Sequence, residues 1–363
     1  TAVGYNALAL DTGGSNTAVG SGAGDGITTG TGNVAVGLNA LGGASHGAAS
    51  NNIGIGNNAG AAINASGNQN VMIGTSTGTA ITTGDNNVVI GHLAGDNVTT
   101  GSQNILIGTN TGGQISTQSD MILIGFEAGD SSNTSSDCIG IGTGALGNNS
   151  LNTVDVVAIG RLAGAGITTG QQIVAIGNGT LQSTLTSSDV TAVGYKALAG
   201  NTAANSTAVG SQALEANTSG AGNTAIGMKA LEAIITSGNS TAIGFNALLL
   251  DTGGSNTAVG SGALDASTTG THNVAVGLNA LGAQGAGANQ NTALGSGAGD
   301  AISTGDANLA IGYDADVPTA TSSNQMNIGG LLWSDGVSTA TGSGISTGGL
   351  GLGGMPAAGA LLS

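Results

Sequence analysis

The feature that most constrains this chain is a tetrapeptide, x-x-aliphatic-Gly, that recurs along most of its length. It begins at residues 1, 17, 34, 53, 71, 88, 105, 122, 139, 157, 174, 191, 207, 224, 241, 257, 274, 292, 309 and 326, which makes 20 copies. Consecutive copies lie 16 to 19 residues apart, with a mean step of about 17 residues. A fixed period of this length indicates a repeat architecture, in which each unit contacts only its neighbours.

Other positions of the repeat are also restricted. The aliphatic position is Val, Ile or Leu and the next is Gly in all 20 copies, and three residues further on the residue is Ala or Thr in 19 copies. The position after that is mostly Leu or Gly, Asn often precedes the tetrapeptide, and Thr-Thr-Gly or a degenerate form occurs late in the repeat. Residues 1–43 and 241–283 are identical at 35 of 43 positions, so the array grew by copying whole repeats.

This period predicts one coil of a parallel β-solenoid, with two short strands and two turns. Seventeen residues are too few for two helices, and frequent Gly disfavours a helix. The β-branched residues of the tetrapeptide suit a strand, its Gly suits a corner of positive φ, and Thr-Thr-Gly suits a second turn. We therefore expect an all-β solenoid of about 20 coils, in which Asn at the same site of successive coils forms a hydrogen-bonded ladder.

Apolar residues on both sides of the strand predict self-association. In the segment 34–41, Val34 and Val36 face one way and Ala35 the other. Ala40 and Leu41 face opposite sides if that stretch is extended as well. A single coil has only one interior, so we expect a second copy of the chain to cover the other face, in a symmetric homo-oligomer.

Composition excludes several classes of partner. Lys and Arg number 3 against 19 Asp and Glu, which gives a net charge of −16, too few cations to neutralise a phosphate backbone. We therefore expect no nucleic-acid partner. No run approaches 18 uninterrupted apolar residues, so we expect no membrane insertion by this segment. One cysteine excludes a disulfide scaffold.

The reactive side chains do not form a recognisable site. His46, His92 and His272 lie in three different repeats and are expected to be exposed turn residues, and Cys138 takes the position often held by Asn and is expected to be a buried small residue. The acidic residues are scattered in turns and predict a solvated negative surface, although three-fold symmetry would leave room for incidental cation binding. We assign no catalytic, cofactor-binding or metal-ligating residue, and expect no cofactor and no enzymatic activity.

Several repeats resemble a known family. The segments Asn223–Leu231, Asn256–Leu264 and Asn273–Leu281 resemble the head repeats of trimeric autotransporter adhesins of the YadA type, and are still more similar to repeats of phage tail fibres. The resemblance implies a homotrimeric, left-handed parallel β-roll with the aliphatic position packed inside. Asn324–Trp333 and Gly349–Ser363 are similar to the segment that ends such arrays in phage fibres, where a trimerising or self-cleaving chaperone domain commonly follows.

From this resemblance we expect residues 1–329 to be a β-roll array, and 330–363 to be a cap or exit segment that leads to a further domain, with Trp333 plugging the end of the solenoid. The expected function is structural and adhesive: a trimeric phage tail fibre shaft or head in the virion, which spaces or presents a receptor-binding end for host attachment. Any host receptor or glycan would bind through an adjacent domain. The alternative is a trimeric adhesin or other extracellular fibre of a cell surface.

Two further alternatives stay open. An ice-binding solenoid needs a flat array of Thr at one register, and the Thr-Thr-Gly motif is irregular. A solenoid glycosidase needs paired carboxylates, and Asp314 and Asp316 are the only two Asp separated by one residue. The sequence leaves open the receptor, the host and a viral or cellular origin.

Overall fold

The computed structural model describes residues 1–43, 47–64, 66–130, 136–147, 155–183, 185–334 and 350–352, without the side chains of 333, 334 and 350–352. It consists of two compact units, Thr1–Asp189 and Val190–Ser363. The described residues form strands and turns without a helix, so both units are all-β.

The described residues of unit 1 contain eleven short strands, and consecutive strands from β1 to β11 pair in parallel. They are β1 (Ala2–Val3), β2 (Thr17–Val19), β3 (Val34–Val36), β4 (Ile53–Ile55), β5 (Val71–Ile73), β6 (Val88–Ile90), β7 (Ile105–Ile107), β8 (Ile122–Ile124), β9 (Cys138–Ile141), β10 (Val156–Ile159) and β11 (Ile173–Ile176).

Unit 2 continues the pattern with nine strands that pair in parallel, followed by two that pair antiparallel. They are β12 (Val190–Val193), β13 (Thr207–Val209), β14 (Thr224–Ile226), β15 (Thr241–Ile243), β16 (Thr257–Val259), β17 (Val274–Val276), β18 (Thr292–Leu294), β19 (Leu309–Ile311), β20 (Met326–Ile328), β21 (Leu332–Ser334) and β22 (Leu350–Leu352). The two units confirm a parallel β-solenoid of about 18 to 20 coils with repeats of about 17 residues.

Within the described residues, each coil up to β20 has one strand rather than the expected two. Outside the named strands, the second side of the coil is represented by isolated bridges such as Ile27 with Gly47 and Ile167 with Leu185. The rest of the coil is turn, because residues on either side of the conserved Ala take left-handed conformations; Asn39 has φ +50° and Leu41 has φ +47°. A strand cannot pass through such residues.

The interior of the coil is lined by the middle residue of the strand, not by the aliphatic position. Ala18 is fully buried, whereas Val19 is 41% exposed. Successive side chains of a strand alternate between faces, so a small Ala inside leaves the aliphatic position outside. The expectation that this position packs inside the coil is therefore wrong for the single chain. So is the expectation that Ala40 and Leu41 face opposite sides: both are fully buried, because the turn is not extended.

Large apolar side chains from two turn positions complete the core, and in β5 to β8 the middle strand residue is large and fully buried as well (Met72, Val89, Leu106 or Leu123). The residue after the conserved Ala or Thr is Leu or Gly in all but one copy, and where it is Gly, the residue three positions later is Ile or Val in seven of eight copies; the exception is Gly129, which is followed by Ser132, a residue outside the described ranges. The described pairs are Gly24–Ile27, Gly60–Ile63, Gly78–Ile81, Gly95–Val98, Gly112–Ile115, Gly164–Ile167 and Gly299–Ile302.

Where the first position is Leu, the second is polar in six of the seven described pairs. These are Leu8–Asp11, Leu198–Asn201, Leu214–Asn217, Leu248–Asp251, Leu264–Ser267 and Leu281–Gln284, and the exception is Leu231–Ile234. At Gly24 the two positions compete for the same space, because a Cβ added there would lie 3.1 Å from Cδ1 of Ile27; in the exceptional coil, Leu231 and Ile234 are both fully buried.

The predicted asparagine ladder is confirmed. The backbone N–H and Nδ2 of Asn87 both donate to Oδ1 of Asn70 at 3.0 Å, and the same two groups of Asn104 donate to Oδ1 of Asn87 at 3.0 Å. Nδ2 of Asn87 also donates to the carbonyl of Gly101 at 2.9 Å. Each buried amide therefore links two coils and a turn, which satisfies its polar atoms.

Where an apolar residue replaces Asn, four of the five strands are longer; the exception is β8 after Met121, whose N–H donates to Oδ1 of Asn104 in the preceding coil at 3.1 Å. The strands β9 to β12 have four residues instead of three, and they begin at Cys138, Val156, Ile173 and Val190. With no side-chain oxygen in the adjacent coil, the backbone N–H of Ile173 donates to the carbonyl of Asp155 at 3.2 Å. Side-chain oxygens elsewhere compete for that N–H, which shortens the strand.

The invariant Gly of the tetrapeptide forms the predicted corner. Gly125 has φ +138°, and a Cβ at this residue would lie 2.6 Å from the carbonyl oxygen of Gly142 in the next coil. No side chain fits at that approach.

Parallel stacking ends after β20, where the chain reverses through Gly329 and Gly330 to pair β20 with β21. The expected plug at the end of the solenoid, the Trp333 side chain, lies outside what the structure describes, as do residues 335–349 and 353–363.

Candidate functional site: the outer strand face

The outer strand face consists of the first and third residues of each tetrapeptide, which point away from the interior. Parallel pairing keeps these residues in register: in unit 2, Val209 aligns with Ile226 and Ile226 with Ile243. Val209 is 37% exposed and Ile226 is 40% exposed. Each unit therefore has a column of half-exposed aliphatic side chains along its strands.

A second apolar column lies beside the first, at the residue that follows the invariant Gly. Several large side chains here are exposed: Tyr5, Leu38, Phe126, Tyr195, Met228, Phe245, Leu278 and Tyr313. They follow directly on the strand and extend its apolar surface in those coils. The second column is interrupted, because other coils have a polar residue at this position, such as Ser21, Asn57 and Thr75 in unit 1 and Ser211 and Ser261 in unit 2.

Charge lies mostly at the margin of this surface; the exception is the exposed Arg161, which directly follows the invariant Gly of its repeat and so lies in the second column. All first and third tetrapeptide residues are uncharged. In unit 2, Lys196 pairs with Glu215 and Lys229 with Glu232, each at 3.1 Å and substantially exposed. Such exposed pairs contribute little to stability. The surface is therefore suited to an apolar protein partner rather than to catalysis.

Two acidic clefts lie on the turns. In unit 1, Asp96 and Asp130 flank Gly113 of the intervening coil, in a cleft of about 190 Å³. In unit 2, Asp265 and Asp300 flank Gly282 in the same way. Burial raises the pKa of Asp96, Asp130 and Asp265, and the charge of Asp130 raises that of Asp96 further.

These clefts do not amount to a metal centre. Among the residues described, no group of three or more His, Cys, Asp or Glu side chains is arranged to hold a metal ion. Cation binding on a three-fold axis stays a prediction.

The residues singled out from the sequence occupy the expected kinds of position where the structure describes them. His92 and His272 are exposed in turns of different units, and Cys138 is fully buried. His46 lies outside the described residues.

The carboxylate pair of the glycosidase alternative has a third member that the sequence analysis missed. Asp300 lies close enough to Asp316 to interact with it, and Oδ1 of Asp316 accepts a hydrogen bond from the backbone N–H of Ala301 at 3.1 Å. Burial raises the pKa of Asp316, and Asp300 and Asp314 raise it further. A separation of about one coil is the signal that would have brought Asp300 and Asp316 together.

The fold and its surface define an all-β repeat protein with an apolar outer strand face. No protein-family model matches the chain, and no curated protein matches it either. Within the described part of the chain, no helix has the length and apolar character needed to cross a membrane.

Proposed function

We propose that this chain is a segment of a homotrimeric extracellular fibre, a phage tail fibre shaft or head that spaces or presents a receptor-binding end. The observation that carries the proposal is the outer strand face, whose aliphatic residues run in register along each unit and stay half-exposed in the single chain. A long stripe of this kind is unfavourable in water, and association of identical copies about an axis covers it. We also propose that the coils of this chain are left-handed, as the resemblance to these repeats implies.

The role is structural because the described coils offer repetition without a binding loop. Coil lengths stay between 16 and 19 residues, which leaves no room for a receptor-binding insertion. The alternative function is a trimeric adhesin or other extracellular fibre of a cell surface. The physical argument for the trimer is the same for both functions.

Sedimentation analysis of the full chain tests the trimer. We expect three copies per particle, and association that strengthens with salt, because three copies of a chain with net charge −16 repel one another while the apolar face attracts. A monomer at all protein and salt concentrations would refute the proposal.

Matched charge variants locate the interface. Val209→Asp and Ile226→Asp place carboxylates on the outer strand face of two adjacent coils, and we expect them to shift the particle to monomer. Ser219→Asp and Thr236→Asp add the same charge at exposed turn positions of the same two coils and serve as controls. Equal effects of the two sets would place the contact elsewhere.

A second candidate function, ice binding, is favoured by one observation in unit 2. Thr191, Thr207, Thr224, Thr241 and Thr257 align in successive register on the outer strand face, each with Val or Ile two residues later. This is the regular Thr array that the alternative needs. In unit 1 the same position is Val or Ile from β3 to β11, which favours contact with protein. Thermal hysteresis of the monomer would support ice binding.

A further inference from the structure

Three successive coils of unit 2 place a polar side chain at the same inward position, which we name the inner polar column. Its members are Asp251, Ser267 and Gln284, each three residues after a buried Leu. All three are fully buried. Each has a side-chain oxygen without a hydrogen-bond partner: Oδ2 of Asp251, Oγ of Ser267 and Oε1 of Gln284.

Other contacts anchor the two longer side chains. Oδ1 of Asp251 accepts hydrogen bonds from the backbone N–H of Gly253 at 3.0 Å and from Nδ2 of Asn256 at 3.1 Å. Nε2 of Gln284 donates to the carbonyl of Ala288 at 2.6 Å. Rotating either side chain to bring its orphaned oxygen to another protein group would break these hydrogen bonds. The missing hydrogen-bond partner therefore has to be a bound molecule.

The coil spacing sets the size of that partner. The strands of these coils pair in register, Thr241 with Thr257 and Thr257 with Val274, so successive column positions are about 4.8 Å apart. Oxygens at that separation are too distant for a direct hydrogen bond, and one small molecule between them reaches both.

Two asparagines in earlier coils show that longer side chains at this position form a direct hydrogen bond between coils. At the same inward position two and three coils earlier, Nδ2 of Asn217 donates directly to Oδ1 of Asn201 at 2.9 Å. Ser267 is shorter than these amides, so its hydroxyl cannot span to the next coil. In the duplicated segment, Ile27 replaces Ser267 and no polar column forms beyond Asp11.

We propose that the inner polar column binds ordered water, one molecule between Asp251 and Ser267 and another between Ser267 and Gln284. Buried waters in proteins occupy sites of this kind, where they make about three hydrogen bonds to groups that are otherwise unsatisfied. Leaving a buried polar group without a hydrogen-bond partner is destabilising, and a bound water removes that cost. The Lys196 and Lys229 side chains are engaged by Glu215 and Glu232, so neither neutralises Asp251.

A crystal structure of the full chain at a resolution that orders water tests the proposal. We expect one density peak within about 2.7–3.0 Å of both Asp251 Oδ2 and Ser267 Oγ, and one shared by Ser267 Oγ and Gln284 Oε1. Soaking with rubidium distinguishes a monovalent cation, because rubidium gives an anomalous signal and water does not. Direct bonds among the three side chains, an empty column or a rubidium peak would each overturn the proposal.

Water relaxation in solution gives an independent measurement. We expect oxygen-17 relaxation dispersion to count at least one fewer long-residence water in Ser267→Asn than in the wild type, because the longer amide takes the place of water. Ser261→Asn changes an exposed serine of the same coil and should leave the count unchanged. Equal counts in the wild type and Ser267→Asn would contradict the proposal, and the crystallographic test of the wild-type chain does not depend on either variant.

Discussion

Exchanging the large core side chain of one coil between its two positions is a direct test of how the interior is filled. The duplicated segments provide the template, since Gly24 and Ile27 of the first copy correspond to Leu264 and Ser267 of the second. We therefore consider Gly24→Leu, Ile27→Ser and the double variant. The flanking coils match as well, because Leu8 of the first copy corresponds to Leu248 of the second.

Each single substitution should be strongly destabilising. Ile27 is fully buried, so Ile27→Ser leaves a cavity and a buried hydroxyl and lowers the free energy of unfolding by about 2–5 kcal/mol. Gly24 has φ +60°, where a side chain costs about 1–2 kcal/mol. Its new Leu would also contact Ile27 Cδ1, only 3.1 Å from the added Cβ, and overpacking adds about 1–3 kcal/mol.

The double variant should recover most of this loss. The Leu side chain fills the space that Ile27 leaves, so the remaining cost is the backbone strain of about 1–2 kcal/mol and a shift of the Leu8 side chain, whose Cδ2 lies 2.9 Å from the added Cβ. The two substitutions should therefore show a favourable coupling of about 3 kcal/mol, near the upper end for residues in direct contact.

Urea unfolding followed by circular dichroism measures the three variants. Hydrogen exchange of the amides in residues 17–33 accompanies it, because long repeat arrays depart from two-state unfolding. The control, Ile27→Ser with Ser21→Leu, adds the same leucine at an exposed position and should give no recovery. Additive losses in the Gly24→Leu/Ile27→Ser variant would refute the idea that the two positions share one space.

Three further predictions concern the corner, the ladder and a buried carboxyl. Gly125→Ala should lower the free energy of unfolding by at least about 2 kcal/mol in urea denaturation, since φ +138° and the Gly142 carbonyl leave no room for Cβ. Asn87→Ala should cost about 2 kcal/mol or more in the same assay because it orphans buried partners in two coils, whereas Asn57→Ala, an exposed asparagine outside the left-handed region, should cost little. Burial raises the pKa of Asp251 above its ordinary 3.8, so its stabilising contribution is present below pH 3.8 and is lost as pH rises through the folded-state pKa; Asp251→Asn should remove that part of the pH dependence of the unfolding midpoint.

The period, the corner and the ladder could be predicted from the sequence because each depends on one repeated residue type. An invariant Gly identifies the corner at Gly125, and a recurrent Asn before the tetrapeptide identifies the ladder at Asn87. These are local requirements of backbone conformation and hydrogen bonding, and they hold in every coil that has the residue.

The face that points inward could not be predicted from alternation alone. Alternation separates Ala35 from Val34 and Val36, but both sets are apolar, so the pattern does not say which is inside. The answer depends on the turn, where Leu41 adopts φ +47° and reaches the interior. The sequence does contain a signal that would have helped. Some repeats have Gly with Ile three residues later, and others have Leu with a polar residue three residues later, which indicates that the two positions fill the same part of the interior.

The buried Leu changes the physical reason for expecting an assembly. Because Ala40 and Leu41 are both inside, a single chain closes its own core, and only the outer strand face is left to drive association. Complete burial of an aliphatic side chain contributes about 1.5–3 kcal/mol, so covering the exposed 40% of Ile226 contributes roughly 0.6–1.2 kcal/mol. Four residues of the third tetrapeptide position are at least 37% exposed in each unit, and together they contribute roughly 2–5 kcal/mol. They are Val3, Val19, Ile55 and Ile159 in unit 1, and Val209, Ile226, Ile243 and Leu294 in unit 2.

That gain is at or below the low end of the association cost, which is about 4–15 kcal/mol. A stable trimer therefore needs the second column as well, where the larger Tyr195, Met228 and Phe245 side chains are 44–49% exposed. It follows that the proposed assembly is held by the two columns jointly, and that Phe245→Ser should weaken it at least as much as Ile243→Ser, since the aromatic side chain has more area to bury.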